Sequence, residues 1–317
     1  MSERTIVCVS ANPALDRQLR VPVLSFGEVN RASQALPLPG GKAAHVALSA
    51  QALGASAIWI GFLGGAIGNE CGAELRRLGI DAIAVRTKSS TRVNVEIIED
   101  SGRVTEVLEP GGAPDAAEQT ELLRIVGEGL HSGWKGALVA ICGSVPTGVD
   151  AGLYVSLIEA ARGAGARVFV DTSGDALRAS LRARPEFVKP NRKETEILLG
   201  QKVNDVQAAA DATKQLLRDG AQSAGVTLGA DGIVWSEGKE GPVWLAQPPH
   251  LKSVSTVGCG DATLAGFAWA ALNGWHGKQA LRFATACGAA NCLAQFEGRI
   301  SVSDVQSLIP QIAVKTL

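Results

Sequence analysis

The segment ALVAICGSVPTGVDAGLYVSLIEAARGAGARVFVD, residues 137–171, holds two short apolar runs on either side of a longer, mixed one. Ala137–Cys142 and Arg167–Asp171 are almost continuously apolar, which predicts strands covered on both faces. Asp150–Arg162 reads as a helix that begins with an Asp able to act as an N-cap. A strand, a helix and a second strand in this order predict an α/β fold built on a parallel sheet.

The same alternation continues on both sides of this unit. Four further strands are predicted at Ile6–Ser10, Ala57–Phe62, Phe187–Lys189 and Gly225–Leu228. Six further helices are predicted at Ala43–Leu53, Glu70–Leu78, Asp115–His131, Asp205–Arg218, Asp261–Leu272 and Lys278–Gln295. This order indicates a doubly wound α/β domain whose ligands bind at the carboxyl ends of the strands.

Two stretches interrupt the pattern. Residues 12–40 contain several prolines and no convincing helix, and residues 89–110 read as a hairpin that turns at 100–102. In its first strand Arg92, Asn94 and Glu96 alternate with apolar residues, so the three polar side chains share one face. A small sheet of this kind could act as a lid over a site or be an ordinary solvated edge, and the pattern leaves both open.

Composition narrows the class of protein. Hydrophobic residues make up 46% of the 317, which is enough to bury a large core and excludes global disorder. The 30 Lys and Arg nearly balance the 31 Asp and Glu, whereas general nucleic-acid binders are usually basic. We therefore expect no nucleic-acid partner.

The cysteines and the N-terminus indicate the compartment. The six cysteines, at 8, 71, 142, 259, 287 and 292, contain no C-x-x-C pair, which argues against a zinc site or a disulfide framework. The chain runs directly into the strand-like Ile6–Val9 without a signal-peptide pattern, and no apolar stretch is long enough to span a bilayer. We expect a cytoplasmic protein with free thiols and no membrane partner.

The strongest local signal for chemistry is STVGCGDATLAG at 255–266. Gly258 and Gly260 form a Gly-x-Gly turn that opens a helix, where the backbone N–H groups of 258–260 can point at an anion. Asp261 follows, and a carboxylate there could accept the proton of a hydroxyl that attacks a phosphoryl group. An Asp that only caps a helix after a glycine turn is the alternative interpretation.

Three basic residues could hold a phosphate that the substrate already carries. Lys42 follows the glycines of Pro39–Lys42, where the backbone can approach a ligand closely. Arg92 lies on the polar face of the hairpin and Arg103 begins its return strand. Each of the three, taken alone, also fits an ordinary surface charge.

Asn191 and Glu194 lie three residues apart across a predicted helix start. Oxygen ligands of this type suit a hydrated Mg²⁺. An Asn at the N-cap with a Glu at the third helical position is equally a variant of the capping box. The spacing is compatible with both roles.

Two common nucleotide-binding motifs are absent from the sequence. Lys42 is followed by Ala43, where a Walker A motif needs Ser or Thr. No stretch fits G-x-G-x-x-G after a strand, which argues against a dinucleotide-binding dehydrogenase.

Together, in this order, the motifs resemble those of the PfkB family of ribokinase-like carbohydrate kinases, and most of all its phosphosugar branch of 1-phosphofructokinase and tagatose-6-phosphate kinase type. The resemblance covers nearly the whole chain and rests on Asn12–Asp16, Gly27–Arg31, Pro39–Lys42, Thr91–Val95, Glu109–Gly111, Cys142–Pro146, Asp171–Gly174, Lys189–Glu194, Thr227–Gly232 and Val257–Asp261. It implies a three-layer, doubly wound fold with a mostly parallel sheet and a small inserted β-sheet lid. Residues 1–317 would form one kinase domain, with lid segments at about 12–40 and 89–110.

The resemblance also implies a reaction, ATP-dependent phosphorylation of a hydroxyl on fructose 1-phosphate, tagatose 6-phosphate or fructose 6-phosphate. Asp261 would be the catalytic base, and the backbone of Gly258, Cys259 and Gly260 the anion hole. Substrate would contact Asp16, Gly41, Lys42, His45, Arg92, Asn94 and Arg103. The nucleotide would contact Asn191, Glu194, Thr227, Gly229, Gly232 and Asn291. ATP and Mg²⁺, the latter held by Asn191 and Glu194 through water, are the implied cofactors, and K⁺ is a further candidate.

Two parts of the sequence depart from the family pattern. The usual Gly-Gly-Lys-Gly-x-Asn is Gly-Gly-Lys-Ala-Ala-His at 40–45, so His45 replaces an Asn that normally contacts substrate. An imidazole is larger and titrates near neutral pH, and it could change the sugar accepted, make affinity pH-dependent or simply pack. Cys259 stands where Ala or Ser is usual. We expect little effect because the backbone acts there, although a thiol at a helix start can be sensitive to oxidation.

Two other functions fit the same scaffold. A kinase of an unphosphorylated sugar or nucleoside would not need the three basic candidates, and a non-catalytic sensor of a sugar phosphate or nucleotide would not need a base beside an anion hole. The intact motif at 258–261 favours catalysis. A homodimer through the lid sheet is also a candidate, because one face of the hairpin strand is apolar: Val93, Val95 and Ile97.

Overall fold

The computed structural model describes residues 4–317, which form two β-sheets and ten α-helices. The strands are β1 (Thr5–Ser10), β2 (Ala14–Val21), β3 (Gln34–Gly40), β4 (Ser56–Gly64), β5 (Asp81–Thr87), β6 (Arg92–Glu99), β7 (Val104–Leu108), β8 (Leu138–Cys142), β9 (Arg167–Asp171), β10 (Phe187–Val188), β11 (Ser223–Thr227), β12 (Ile233–Ser236), β13 (Val243–Gln247) and β14 (Ala313–Thr316). The helices are α1 (Lys42–Ala52), α2 (Gly65–Arg77), α3 (Ala116–His131), α4 (Gly152–Gly163), α5 (Gly174–Arg182), α6 (Arg192–Leu199), α7 (Val206–Asp219), α8 (Cys259–Leu272), α9 (Gly277–Asn291) and α10 (Val302–Leu308).

The large sheet has the strand order β14-β13-β12-β11-β10-β9-β8-β1-β4-β5. The strands from β11 to β5 in this order are parallel, and β12, β13 and β14 add an antiparallel edge. Helices cover both faces, α1, α2, α8, α9 and α10 on one and α3 to α7 on the other. The predicted three-layer α/β architecture is confirmed, whereas the antiparallel edge was not predicted.

The central strands show why the sequence reads as unbroken apolar runs. In β1, Ile6 and Cys8 pack into one core and Val7 and Val9 into the other. Successive side chains of a strand point to opposite faces, so a strand covered on both faces needs apolar residues at every position. The alternation of cores along β1 follows from this geometry.

The second sheet has four strands in the order β3-β2-β6-β7. The predicted hairpin of 89–110 is confirmed as β6 and β7, and β2 pairs with β6 in parallel. Residues 12–40, for which no strand was predicted, supply β2 and β3. The prolines at 37 and 39 argue against a strand when only the sequence is considered. Strand β3 lies at the edge of the sheet, however, where Pro is tolerated.

Helix ends mostly follow the predictions. Asp115 and Asp205 cap α3 and α7, whereas Asp150 precedes the N-cap of α4 and accepts a hydrogen bond from the Gly152 N–H. Helix α9 ends at Asn291, four residues before the predicted Gln295, because the chain turns there. No helix within residues 4–317 has both the length and the apolar character needed to cross a membrane.

Candidate active site

A cavity of about 970 Å³ lies where the large sheet meets the four-stranded sheet. Its floor is made by residues at or just after the carboxyl ends of five neighbouring parallel strands: Asn12, Ser144, Asp171, Lys189 and Thr227. The four-stranded sheet, called the lid sheet below, contributes the opposite wall. Parallel strands present their carboxyl ends at one edge, so the fold gathers side chains that are far apart in the chain.

The glycine turn of 258–260 opens α8 into this cavity. Gly258 is the N-cap, with a φ of +75° in the left-handed region that favours glycine. The first N–H groups of a helix have no acceptor within the helix, so those of α8 can bind an anion. A Cβ on Gly260 would lie 3.2 Å from Nζ of Lys189, which places an ammonium group beside the turn.

Asp261 lies inside the first turn of α8 rather than at its N-cap, and its side chain makes no capping hydrogen bond within the described residues. The carboxylate is buried and lines the cavity. Its position excludes the interpretation of Asp261 as a cap alone. A buried carboxylate beside a helix start is suited to proton transfer next to an anion.

His45 joins Asp261 to Asp16. Its Nδ1 lies 2.9 Å from Oδ2 of Asp261, and its Nε2 lies 3.5 Å from Oδ2 of Asp16. Burial by itself lowers the pKa of His45, but the hydrogen bonds and charges of the two carboxylates raise it well above its ordinary value. The imidazolium therefore connects the candidate base with a candidate sugar-binding residue.

Asp16 is held in place by the lid sheet. Its Oδ1 accepts a hydrogen bond of 2.8 Å from Nδ2 of Asn94 on the neighbouring strand. A Cβ on Gly40 would lie 2.1 Å from Cγ of Asp16, so only glycine at position 40 leaves room for this carboxylate. The glycines of the 39–42 segment therefore leave room for the Asp16 carboxylate and also begin helix α1.

The lid wall carries further acidic groups. Glu96 and Glu106 line the cavity, and Glu297 lies nearby, at 3.4 Å from Nε2 of Gln18. Burial, with the charges of Glu297 and Asp16, raises the pKa of Glu96 to about 8. At neutral pH the Glu96 carboxyl is therefore mostly protonated and can donate a hydrogen bond.

Three buried polar atoms on this wall have no hydrogen-bond partner among residues 4–317: Oε2 of Glu96, Oδ1 of Asn94 and Oε1 of Gln18. Buried polar atoms are normally paired, and leaving one unpaired costs roughly 1–3 kcal/mol. Hydroxyl groups of a bound sugar would supply donors and acceptors to such a wall.

A second charged group lies on the other side of the cavity. Nζ of Lys42 lies 2.7 Å from Oδ1 of Asp171 and 3.0 Å from Oε1 of Glu194, and Nζ of Lys189 lies 2.7 Å from Oδ2 of Asp171. Burial opposes the charge on Lys42, but the neighbouring carboxylates raise the pKa of Lys42 above its ordinary value. Lys42 thus lies between acidic groups at the floor of the cavity and not beside Arg92.

Asn191 and Glu194 form a complete capping box at the start of α6. Oδ1 of Asn191 accepts from the Glu194 N–H at 2.9 Å, and Oε2 of Glu194 accepts from the Asn191 N–H at 2.8 Å. Within the described part of the chain, no group of three or more His, Cys, Asp or Glu side chains is arranged to hold a metal ion. This donor set fits a hydrated Mg²⁺ that arrives with nucleotide phosphates, since Mg²⁺ keeps several waters and needs few protein ligands.

Arg92 and Arg103 lie in different places. Arg92 lines the cavity, where it donates to the carbonyls of Glu109 and Asn12 and keeps a buried Nε that has no partner in the described chain. Arg103 pairs with Glu99 at the far end of the lid hairpin and does not contribute to the cavity lining. We predicted that Arg103 lies beside the substrate. The structure does not place it there, because the turn of the hairpin is at the end remote from the cavity.

Asn291 also lies elsewhere than predicted. It is buried behind the 255–258 loop, where Nδ2 donates to the Val257 carbonyl at 2.7 Å and Oδ1 accepts from the Gly298 N–H at 2.8 Å. Both ends of the amide are occupied, and the cavity lining does not include it. Asn291 therefore holds the glycine turn in place instead of facing a ligand.

The remaining predicted positions line the cavity: Gly41, Thr227, Gly229 and Gly232. An apolar wall that sequence reasoning missed accompanies the last three: Leu228, Ile233, Pro248, Pro249 and Leu251. Flat apolar walls of this kind suit a planar base.

Asp171 and Lys189 were also missed as site residues, although both belong to quoted motifs. The sequence carries a signal for them, because each is a charged residue that ends an otherwise apolar, buried strand. A charge at such a position is costly unless it is paired, which favours a functional site at the strand ends.

Comparisons with known proteins agree with this geometry. The family model of the pfkB family carbohydrate kinases matches residues 4–297. The 1-phosphofructokinase of Rhodobacter capsulatus is 35% identical to this chain over 89% of the chain and 88% of its own length. The 1-phosphofructokinase of Haemophilus influenzae is 32% identical over 96% of both chains.

Solved structures give the same result. Phosphofructokinase-2 from Escherichia coli in complex with substrates and products is 30% identical, with a TM-score of 0.88 over 97% of this chain and 99% of that one. The same enzyme in complex with potassium gives a TM-score of 0.89 at 30% identity, over 98% and 99% of the two chains.

Proposed function

The chain belongs to the pfkB family of carbohydrate kinases and is an ATP-dependent phosphosugar kinase, and from this premise we propose that its acceptor is fructose 1-phosphate. Two relatives that align over nearly their full lengths act on this sugar by name. The observation that carries the chemistry is the buried Asp261 carboxylate, which lies in the cavity within the first turn of α8.

Asp261 is the base in this proposal. As the acceptor hydroxyl attacks the γ-phosphorus of ATP, its proton passes to a carboxylate oxygen of Asp261. The hydrogen bond from His45 to Oδ2 leaves Oδ1 free to face the hydroxyl. His45 thus orients the base and links its position to that of Asp16.

The start of α8 and Lys189 stabilise the transferring phosphoryl group. Negative charge on its oxygens is met by the N–H groups of 258–260 and by the ammonium of Lys189 beside Gly260. Lys42, held by Asp171 and Glu194, is placed to reach the same phosphate chain. Mg²⁺, when bound with ATP, would neutralise phosphate charge, and Glu194 with Asn191 would hold it through water.

The phosphate already on the acceptor binds at Arg92 in this proposal. Arg92 lines the cavity, its Nε has no hydrogen-bond partner in the described chain, and a guanidinium favours phosphate oxygens. The carboxylate of Asp16 would repel a phosphate placed against it, so in this proposal the part of the lid wall around Asp16 contacts the sugar hydroxyls.

The decisive experiment measures ADP release with Mg²⁺ and ATP over a panel of acceptors. The panel contains fructose 1-phosphate, fructose 6-phosphate, tagatose 6-phosphate, fructose, ribose and adenosine. We expect the highest kcat/KM with fructose 1-phosphate and a strong loss with Arg92→Ala. Turnover confined to an unphosphorylated acceptor would overturn the proposal, and so would the absence of turnover despite ATP binding.

The lid sheet is the proposed dimer interface. Its outer face carries Val95 and its cross-strand partner Val107, which is 59% exposed. Burying such a face against a second copy removes apolar surface from water. We expect Val107→Lys to lower the dimer fraction in sedimentation velocity, whereas the control Val302→Lys on α10 leaves it unchanged. An equal effect of both variants would contradict the interface.

Three further parts of the proposal follow from the family. Residues 1–317 act as one kinase domain, with the lid in 12–40 and 89–110. Activation by K⁺ is tested by replacing it with tetramethylammonium in the assay. The cytoplasmic location stays a prediction.

A further inference from the structure

Two thiols face each other on the wall of the cavity. Cys259 is the first residue of α8 and Cys292 is the C-cap of α9. Their sulfur atoms are 3.0 Å apart, and both residues are part-exposed and line the cavity. The two residues are 33 positions apart, so only the packing of the helices brings them together.

Close packing of α8 on α9 produces this contact. A Cβ on Gly266 would lie 2.7 Å from Cα of Ala284, and a Cβ on Gly288 would lie 2.2 Å from Oγ1 of Thr263. Neither space admits a larger side chain. The two helices therefore hold their ends, and the two sulfur atoms, in a defined relation that does not depend on flexible loops.

The pair differs from the other thiols of the chain. The remaining four cysteines are buried, and burial raises the pKa of Cys8, Cys71, Cys142 and Cys287. The thiols of Cys259 and Cys292 are hydrogen-bonded to each other, and this hydrogen bond lowers the pKa of Cys292. A part-exposed sulfur that favours the thiolate form, with a second thiol beside it, is the arrangement that oxidants select.

We propose that Cys259 and Cys292 form a reversible disulfide that switches the enzyme off. Hydrogen peroxide transfers one oxygen to the Cys292 thiolate, which becomes a sulfenic acid, and the O–O bond breaks with release of hydroxide. The Cys259 sulfur then attacks the sulfenic sulfur, the new S–S bond forms, and the sulfenic oxygen leaves as water with the Cys259 proton. A dithiol reductant restores both thiols.

The bond would distort the anion hole. The sulfur atoms must approach from 3.0 Å to about 2.05 Å, which draws the first residue of α8 toward α9. The N–H of Cys259 belongs to the proposed anion hole, and this part of the inference rests on the proposed function. A displacement of about 1 Å at such a site lowers turnover roughly 100-fold.

The test uses the full chain with Cys287→Ala, because Cys287 and Cys292 lie on one tryptic peptide. Reduced protein is treated with hydrogen peroxide, free thiols are alkylated, and the digest is analysed by mass spectrometry. We expect peptides 253–278 and 283–299 joined by a disulfide, with kcat lowered roughly 100-fold and restored by dithiothreitol. In a Cys292→Ser variant, the same peroxide treatment should leave kcat at its untreated value.

Several results would overturn the switch. They are the absence of joined peptides, joined peptides without loss of kcat, or an equal loss in Cys292→Ser. ATP affinity, measured by calorimetry on reduced and oxidised protein, needs no acceptor. If no acceptor in the panel is phosphorylated, the proposed function fails, while joined peptides with weakened ATP binding still support the switch and unchanged ATP binding rejects it.

Discussion

The two ends of the cavity differ in how their charged side chains are paired. At the end formed by Asp171, Lys189, Lys42 and Glu194, every carboxylate has an ammonium within 3.0 Å. At the lid end, five carboxyl groups lie around His45, those of Asp16, Asp261, Glu96, Glu106 and Glu297. Arg92 also lines this end of the cavity.

This difference indicates how each end is completed. At the paired end, each lysine already pairs with a carboxylate before any ligand binds. A bound phosphate would therefore share the lysines with these carboxylates. Both ends hold buried polar atoms that lack a hydrogen-bond partner within the described residues, and in our proposal hydroxyl groups of the sugar complete those at the lid end. We therefore expect the first end to contribute to folding stability as well as to chemistry, and the second mainly to recognition.

The largest effect should come from the residue between the two ends. Asp261→Asn keeps the shape of the side chain but removes the base, so kcat should fall roughly 10²- to 10⁴-fold. ATP affinity, measured by calorimetry, should be unchanged. Asp175→Asn, an exposed Asp in the first turn of α5, is the matched control. Turnover within a factor of two of the parent protein would show that Asp261 is not the base.

The paired end is tested by a double-mutant cycle on Asp171 and Lys189. Asp171→Leu leaves a buried ammonium without its carboxylate and should lower the free energy of unfolding by about 3–5 kcal/mol. Lys189→Met should cost less, because Lys42 still pairs with Asp171. In urea unfolding, the double variant should be more stable than Asp171→Leu. Strict additivity would mean that the pair is not coupled.

The lid end is tested at His45. His45→Leu removes the hydrogen bond to Asp261 and the ion pair with Asp16 and should lower kcat/KM about 10-fold, while His45→Asn should recover part of it. The raised pKa of His45 means that its stabilisation is complete below the ordinary pKa near 6.5 and is lost as pH rises through the folded-state pKa.

The free energy of unfolding of the parent protein should therefore fall as pH rises above 6.5. That of His45→Leu should not show this fall. His276→Asn, an exposed histidine paired with Glu237, is the control. The carboxyl groups that face His45 are those of Asp16, Asp261, Glu96, Glu106 and Glu297. An identical pH profile in His45→Leu would remove His45 from this role.

The smallest effect should come from Glu96. Because its pKa is raised to about 8, the carboxyl is mostly neutral at pH 7 and ionises above 8, where it repels a phosphosugar. KM for the acceptor should rise roughly 3-fold between pH 7 and 9, and Glu96→Gln should abolish that rise.

The same group affects stability with a definite sign. A carboxyl with a raised folded-state pKa favours folding below its unfolded value of 4.5, and this contribution is lost as pH rises toward 8. Glu96→Gln should therefore gain stability relative to the parent protein at pH 8 and above. The exposed Glu240→Gln is the control for both measurements, and a parallel change in it would contradict the assignment.

Much of the fold was predictable because its cause is local. Apolar runs such as Arg167–Asp171 and the capped helices α3 and α7 follow from side-chain periodicity and short-range hydrogen bonds. Strand β3 was missed because Pro37 and Pro39 argue against a strand unless it is known to lie at an edge. Edge position is a property of the sheet and not of the segment.

The sequence by itself determined the layer architecture and the glycine turn that carries Asp261. Only the tertiary structure decided the partners: Lys42 with Asp171, 129 residues away, and His45 with Asp261, 216 residues away. Tertiary structure also decided the positions of Arg103 and Asn291. Hairpin length pairs Arg103 with Glu99, and helix packing places Asn291 against the Val257 carbonyl, instead of at the predicted ligand contacts. Backbone conformation depends on neighbours in the chain, whereas the pairing of charges depends on which strand ends and helix starts the sheet order brings together.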